Sequence, residues 1–166
     1  IYHKRMQNPQ KAISTYVEAL EVKAQDHAVL QKILDLYTET RQWKKAVETM
    51  QKFAEIETLP LIKGKYYYAA GVISRDEVKS LDEAVDYFNS ALDHYYAEAD
   101  KIPVDQISRN LKAFEAIDKI LTSKRDWKQL ERAYRKQIKR MPQVEGDKVL
   151  PMLWHNLGEI YRSRLN

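Results

Sequence analysis

The 166-residue chain has no cysteine. Disulfides, thiolate metal sites and cysteine nucleophiles are therefore excluded. A reducing compartment is compatible with that absence, and a cytoplasmic setting is favoured. Glycine and proline are scarce, at 4 and 5 residues, which disfavours a turn-rich β-protein and a disordered chain alike. No apolar run approaches the roughly 18–20 residues of a membrane span. There is no signal-peptide pattern, and a chain that opens on Ile1 reads as a piece of a longer protein. Gly-rich phosphate loops, nucleophile elbows and paired metal-ligand motifs are missing too. His155 and Glu159 stand one helical turn apart, but two ligands do not make a metal site. His3, His27 and His94 are isolated. The expectation is a chain that is not an enzyme and needs no cofactor or metal.

What is present is helix-forming. Hydrophobic residues make up 44% of the chain, and Ala, Leu, Glu, Lys and Gln are abundant. Ala12, Tyr16 and Ala19 fall at i, i+4, i+7, one face of a helix. The pattern returns as Ala46, Met50, Phe53 and as Ala84, Phe88, Ala91. A weaker copy is Leu130, Tyr134, Gln137, where Gln breaks the pattern and Ile138 is expected to do the packing. The first residues are separated by 46−12 = 34, 84−46 = 38 and 130−84 = 46 positions, so the later units need insertions. A small residue lets two helices approach closely, and the aromatic four positions on fills the adjoining groove.

The turns repeat as well. Thr40 to Ala46 resembles Lys124 to Leu130, with Trp43 and Trp127 in the same place. Leu81 takes that place before Ala84. Both tryptophans read as plugs between helices. Asn8 suits a helix cap and Pro9 the first helical position. The coarse map has eight helices, roughly 8–24, 27–40, 43–57, 60–75, 80–99, 104–123, 126–141 and 147–165. Pro60, Pro103, Pro142 and Pro151 sit near their starts or ends.

Trp154, Leu157, Gly158 and Tyr161 have the spacing of a first-helix signature, and the Ala-anchored sets above have that of the second helix. In these residues the chain resembles the tetratricopeptide repeat family. The resemblance runs over nearly the whole chain. It is strongest at 8–58 and 151–165, fair at 64–92 and loose at 104–141. It implies an all-α fold, a right-handed α-solenoid of antiparallel helix hairpins. One repeat domain spans 1–166, with fuller repeats at about 27–58, 60–99 and 104–141 and a half repeat at each end. Ile1 to Gln7 resembles Ile160 to Asn166, both at the close of a first helix.

The resemblance also implies a role. Such folds bind a peptide or partner protein in a concave groove lined by first helices. The residues mapped there are Gln31, Asp35 and Glu39; Lys65, Tyr68, Val72 and Arg75; Lys112, Glu115 and Lys119; and Met152, His155, Glu159 and Arg162. One subclass clamps the C-terminal carboxylates of chaperones with Lys, Asn and Arg. Gln31 and Asp35 hold the corresponding early positions, and an Asp there repels a carboxylate. Three consecutive tyrosines, Tyr66 to Tyr68, point about 100° apart. One or two are expected to pack between repeats and one to face the groove.

Charge is unevenly placed. Residues 1–100 hold 13 Lys+Arg and 16 Asp+Glu, a net −3, whereas residues 101–166 hold 15 and 8, a net +7. Lys124, Arg125, Lys128, Arg132, Arg135, Lys136, Lys139 and Arg140 form the densest run. A rival reading is a nucleic-acid-binding helical solenoid using this basic C-terminal part, although the stripe lacks interleaved aromatics. Another is a non-catalytic region of a larger enzyme. Finally, uncovered apolar ends favour weak head-to-tail self-association. Leu153, Leu157 and Ile160 are the residues expected to be exposed at one end, with Ile13 and Val17 at the other.

Overall fold

The computed structural model describes residues 8–22, 26–98, 101, 109–143 and 147–165. Among them there are eight α-helices and no strand. They are α1 (Pro9–Val22), α2 (His27–Glu39), α3 (Trp43–Ile56), α4 (Pro60–Ile73), α5 (Leu81–Tyr95), α6 (Lys112–Lys124), α7 (Trp127–Arg140) and α8 (Val149–Arg164). A π-turn, Ser74–Val78, extends α4, and a 3₁₀ turn, Arg109–Leu111, leads into α6. Helices adjacent in sequence pack against each other all along the chain.

Local chemistry explains the starts. The Asn8 side chain accepts the Lys11 N–H at 3.3 Å, with Pro9 at the first helical position. Asp26 accepts the N–H groups of Ala28 and Val29 at 3.0 and 3.2 Å. Asp126 accepts that of Gln129, and Asp147 those of Val149 and Leu150. Each satisfies a donor that the first helical turn leaves unpaired. The expected fifth helix stops at Tyr95, short of residue 99, and the start expected at 104 for the sixth lies outside the described residues, where the helix is seen from Lys112. Residues 1–7, Pro103 and His3 lie outside the described residues.

Three turns share one backbone. Arg41, Lys79 and Arg125 have φ of 54°, 63° and 55°. Each is followed by a polar residue and then by the bulky residue that opens the next helix: Trp43, Leu81 or Trp127. The N–H of Gln42 reaches back five residues to the Tyr37 carbonyl, and that of Asp126 five residues to Leu121. The N–H of Ser80 reaches back six, to Ser74, at 2.9 Å. The turn at Lys79 thus carries one extra residue, and the π-turn absorbs it. It accounts for one of the four residues by which the Ala46–Ala84 spacing exceeds the Ala12–Ala46 spacing of 34.

Ala12, Ala46 and Ala84 are buried, as the helix-crossing argument requires. The larger apolar cluster runs from Ala84 to Ile160 across α5–α8. A smaller one joins Ala12, Ile13, Ile33, Leu36, Tyr37 and Ala46. Phe53 on α3 reaches both α2 and α4. It is tilted against His27 at 5.8 Å between centroids and stacked on Tyr66 at 5.0 Å.

Four expectations change. Gln137 is wholly buried and keeps its place in the pattern, and Ile138, half-buried, packs on the larger core beside it. The amide is tolerated because Arg140 donates to its Oε1 at 3.3 Å and the Tyr96 hydroxyl bonds to it. Ala19 is exposed, unlike its counterpart Phe53. Leu153, Leu157 and Ile160 are buried against α7 and its neighbours, and Ile13 is buried against α2. The exposed large apolar residues on α8 are instead Met152, Trp154 and Tyr161, whereas Val17 on α1 is exposed as expected.

Candidate functional site

A larger hollow, about 630 Å³, opens between α1, α2 and α3, and the first turns of α4 and α6 and the end of α5 enclose a second. Glu57 sets its edge. Its Oε1 accepts the N–H groups of Thr58 and Leu59 at 2.8 and 3.1 Å, and these donors lower its pKa. The chain then turns into Pro60, leaving Leu59 and Leu61 more than 45% exposed, at 57% and 47%. Exposed leucines that close together at a helix start are an apolar surface with no cover.

Behind them, Gly64 allows an unusually close approach. A Cβ there would lie 2.5 Å from the Tyr95 ring. With no Cβ, the ring lies flat on α4 and becomes a wall of the hollow. Burial, with Tyr68 as the lesser cause, pushes the Tyr95 phenol up to about 12. It is neutral at physiological pH. The hollow has a volume of about 470 Å³ and is lined by Leu59, Pro60, Leu61, Ile62, Lys65, His94, Tyr95, Glu98, Lys101 and Asn110. A smaller extension of about 190 Å³ shares Leu61, Lys65, Tyr95 and Asn110 and adds Tyr68 and Lys112.

Lys65, Tyr68 and Lys112, which the sequence places on a common face, are thus brought to one surface. Lys65 and Lys112 are exposed and Tyr68 is half-buried, its ring 5.6 Å from that of Phe88. Tyr66 and Tyr67 turn elsewhere, onto Phe53 and His94. Glu98 pairs with Lys101 at 3.1 Å. The rim is therefore positive and the floor apolar.

The other mapped residues line neither part of this hollow. Gln31 donates to Asp35 at 2.9 Å along α2, and Glu39 is exposed at its end. Val72 packs on the larger core. Arg75 binds Asp76 at 2.6 and 2.8 Å and lies over the Phe88 ring. Glu115 and Lys119 are exposed on α6, and Met152 and His155 on α8. Glu159 pairs with Arg162 at 2.7 Å. Leu59, Leu61, Tyr95 and Asn110 were not foreseen. The Leu59-Pro60-Leu61-Ile62 run was a legible signal, since apolar residues at a helix start have no core to face until the turn closes.

Half of the eight-residue basic run, which spans the end of α6 and α7, is engaged. Arg140, its side chain only 9% exposed, binds Asp93 at 2.6 Å, and Lys136 binds the same carboxylate at 3.2 Å. Lys124 pairs with Asp82, and Arg135 with Glu131. These contacts tie α7 to α5 and steady α7 itself. Lys128, Arg132 and Lys139 remain exposed. Among the described residues, no three His, Asp or Glu side chains gather where a metal ion could sit, and no helix is long and apolar enough to cross a membrane.

No protein-family model, curated protein or solved structure matches the chain.

Proposed function

We propose that the chain is a tetratricopeptide-like repeat protein, a right-handed solenoid of antiparallel helix hairpins, and that it binds a peptide segment of another protein without catalysing a reaction. The observation that carries this reading is the hollow between α4, α5 and α6, where Lys65 and Lys112 flank an apolar floor of Leu61, Tyr68 and Tyr95. Its occupant is a segment that combines large apolar side chains with carboxylates. The apolar contacts supply most of the affinity, and the two lysines orient the carboxylates and speed encounter. The recurrent turn geometry at Arg41, Lys79 and Arg125 supports the repeat reading.

Panning a random peptide display library on the protein tests it. Enriched peptides should carry Asp or Glu near Leu, Phe or Trp, and a photo-crosslinker at Tyr68 should capture them. No enrichment, or enrichment of basic peptides, overturns the reading. Titration with single- and double-stranded nucleic acid at two salt concentrations tests the rival role of α7. Tight binding that collapses with salt would favour it.

A further inference from the structure

Gly64 and the ring of Tyr95 control how much room the hollow between α4, α5 and α6 offers. α4 and α5 approach closely at two glycines, Gly64 and Gly71, which lie two turns apart on one face of α4. A Cβ on Gly71 would lie 2.8 Å from the Phe88 ring, which is wholly buried. A Cβ on Gly64 would lie 2.5 Å from both Cδ1 and Cε1 of Tyr95, and 3.1 Å from the Ala91 carbonyl oxygen. Tyr95 differs from Phe88 in being half-buried, because it borders the hollow and its extension. The Ala91 carbonyl leaves a Cβ no retreat towards α5. The ring is then what gives way, and its open side is the hollow. Gly64 thus keeps the extension open.

The extension has its own chemistry. Leu61, Lys65 and Tyr68 come from one strip of α4, Tyr95 from α5, and Asn110 and Lys112 from the approach to α6 and its start. Among the described residues no carboxylate lines it, whereas Glu98 lines the larger part and pairs with Lys101. Its volume is about 190 Å³. A cavity of about 150 Å³ holds one benzene ring, so the space suits a single aromatic side chain. Such a ring gains an edge-to-face or offset contact with Tyr68 or Tyr95 that an aliphatic group of equal bulk does not. A lysine ammonium over its face adds to the gain. The chain makes such contacts itself, with Lys32 over Tyr16 and Lys45 over Tyr37.

We propose that the extension seats one aromatic side chain of the partner segment, flanked in sequence by carboxylates that Lys65 and Lys112 attract, and that Gly64 and Tyr95 set this preference. The inference rests on the peptide-binding reading above and adds the class of residue that anchors the peptide. Tyr95 touches the anchor. Gly64 acts through Tyr95 and is a positioning residue.

The test is isothermal titration with the peptides acetyl-Ser-Asp-Glu-X-Glu-Asp-Ser-amide, where X is Phe, cyclohexylalanine, Leu or Ser. Cyclohexylalanine has the bulk of Phe without its π-system. The parent should bind the Phe peptide about threefold or more tighter than the cyclohexylalanine peptide, and the Ser peptide most weakly. Tyr95→Leu should keep binding the apolar peptides, with Phe and cyclohexylalanine within about twofold of each other. Gly64→Ala should weaken the Phe peptide by about tenfold or more. Gly64→Ala with Tyr95→Leu, where the new Cβ meets no ring, should regain affinity without the preference for Phe. Melting curves show whether each variant is folded. If no peptide binds the parent, the peptide-binding reading falls and the anchor with it. If the peptides bind but cyclohexylalanine or Leu equals Phe, that reading stands and the aromatic anchor is overturned. A folded Gly64→Ala that binds like the parent, or a folded double variant that stays weak, overturns the role of Gly64. If Gly64→Ala unfolds, Tyr95→Leu decides: an unchanged preference for Phe overturns the proposal.

Discussion

Gly71 faces the Phe88 ring so closely that a Cβ would lie 2.8 Å from Cδ1 and from Cε1. Phe88 is wholly buried, so the ring has no room to yield. Gly158 stands in the equivalent place on α8 and has open space around it. Replacement by Ala should therefore have opposite effects at the two sites. Gly71→Ala gains up to about 1 kcal/mol of helix propensity but overpacks a closed site, at a cost on the order of 1–3 kcal/mol. Gly158→Ala keeps the propensity gain alone. In urea unfolding, the first should lower the midpoint and the second raise it.

Arg140 and Lys136 share the Asp93 carboxylate but differ in burial. Arg140 also donates to the Asn89 carbonyl at 3.1 Å and to the Asn89 side chain at 3.2 Å. Its removal takes a donor from Asp93, Asn89 and Gln137 at once. Arg140→Ala should cost about 1.5–3 kcal/mol, the range for hydrogen bonds to charged groups. Lys136→Ala, at a half-exposed pair, should cost under about 1 kcal/mol. Equal losses in denaturant titrations would mean that the burial difference does not govern these contacts.

Lys79 holds a left-handed backbone conformation, with φ of 63°, where glycine is the residue of lowest strain. Lys79→Gly should raise the melting temperature, by the equivalent of at most about 1 kcal/mol. Lys79→Val should lower it, because a β-branched side chain is poorly tolerated there.

His94 stacks face to face on Tyr67 at 5.3 Å. Burial, and then the positive charge of Lys63, hold its pKa below the ordinary 6.5, and Asp93 offsets only part of this. The folded state thus takes up the proton less readily than the unfolded chain. Stability is complete above the unfolded value and declines as pH falls below 6.5 towards the lower folded value. His94→Phe keeps the stack and removes the titration. Melting curves between pH 7.5 and about pH 5 should slope less for that variant than for the parent.

Helix type and count were legible because the apolar period of 3.6 recurs in every unit. The buried alanines were legible for the same reason, since a small residue repeating at one phase marks a helix crossing. The π-turn was not. An inserted residue leaves the period on either side intact, and the sequence shows only that the spacing is too long. Gln137 was misjudged because its partners, Arg140 and the Tyr96 hydroxyl, come from a neighbouring turn and a distant helix. Of the candidate site, Lys65, Tyr68 and Lys112 were legible from helix phase. Tyr95 was hidden, because its place in the wall depends on Gly64 across the helix pair. The exposed strip of α8 was placed one residue off, on Leu153, Leu157 and Ile160. The two adjoining strips of that helix are both apolar, and only packing against α7 decides which is covered.

Charge reversal separates the two candidate surfaces most directly. Lys65 and Lys112 are exposed and make no ion pair among the described residues, so Lys65→Glu with Lys112→Glu should leave the fold intact. Acidic peptides selected on the parent should lose at least about tenfold in affinity, since each reversed charge replaces attraction by repulsion at short range and 1.4 kcal/mol is a factor of ten. Arg132→Glu with Lys139→Glu removes the same number of positive charges from α7, away from the hollow. Long-range steering alone should then change affinity less than about threefold at physiological salt, where screening acts over about 8 Å. Isothermal titration of one labelled peptide against the parent and both double variants gives the comparison. Loss confined to the α7 variant would move the binding surface to α7 and would leave the hollow between α4, α5 and α6 without a role.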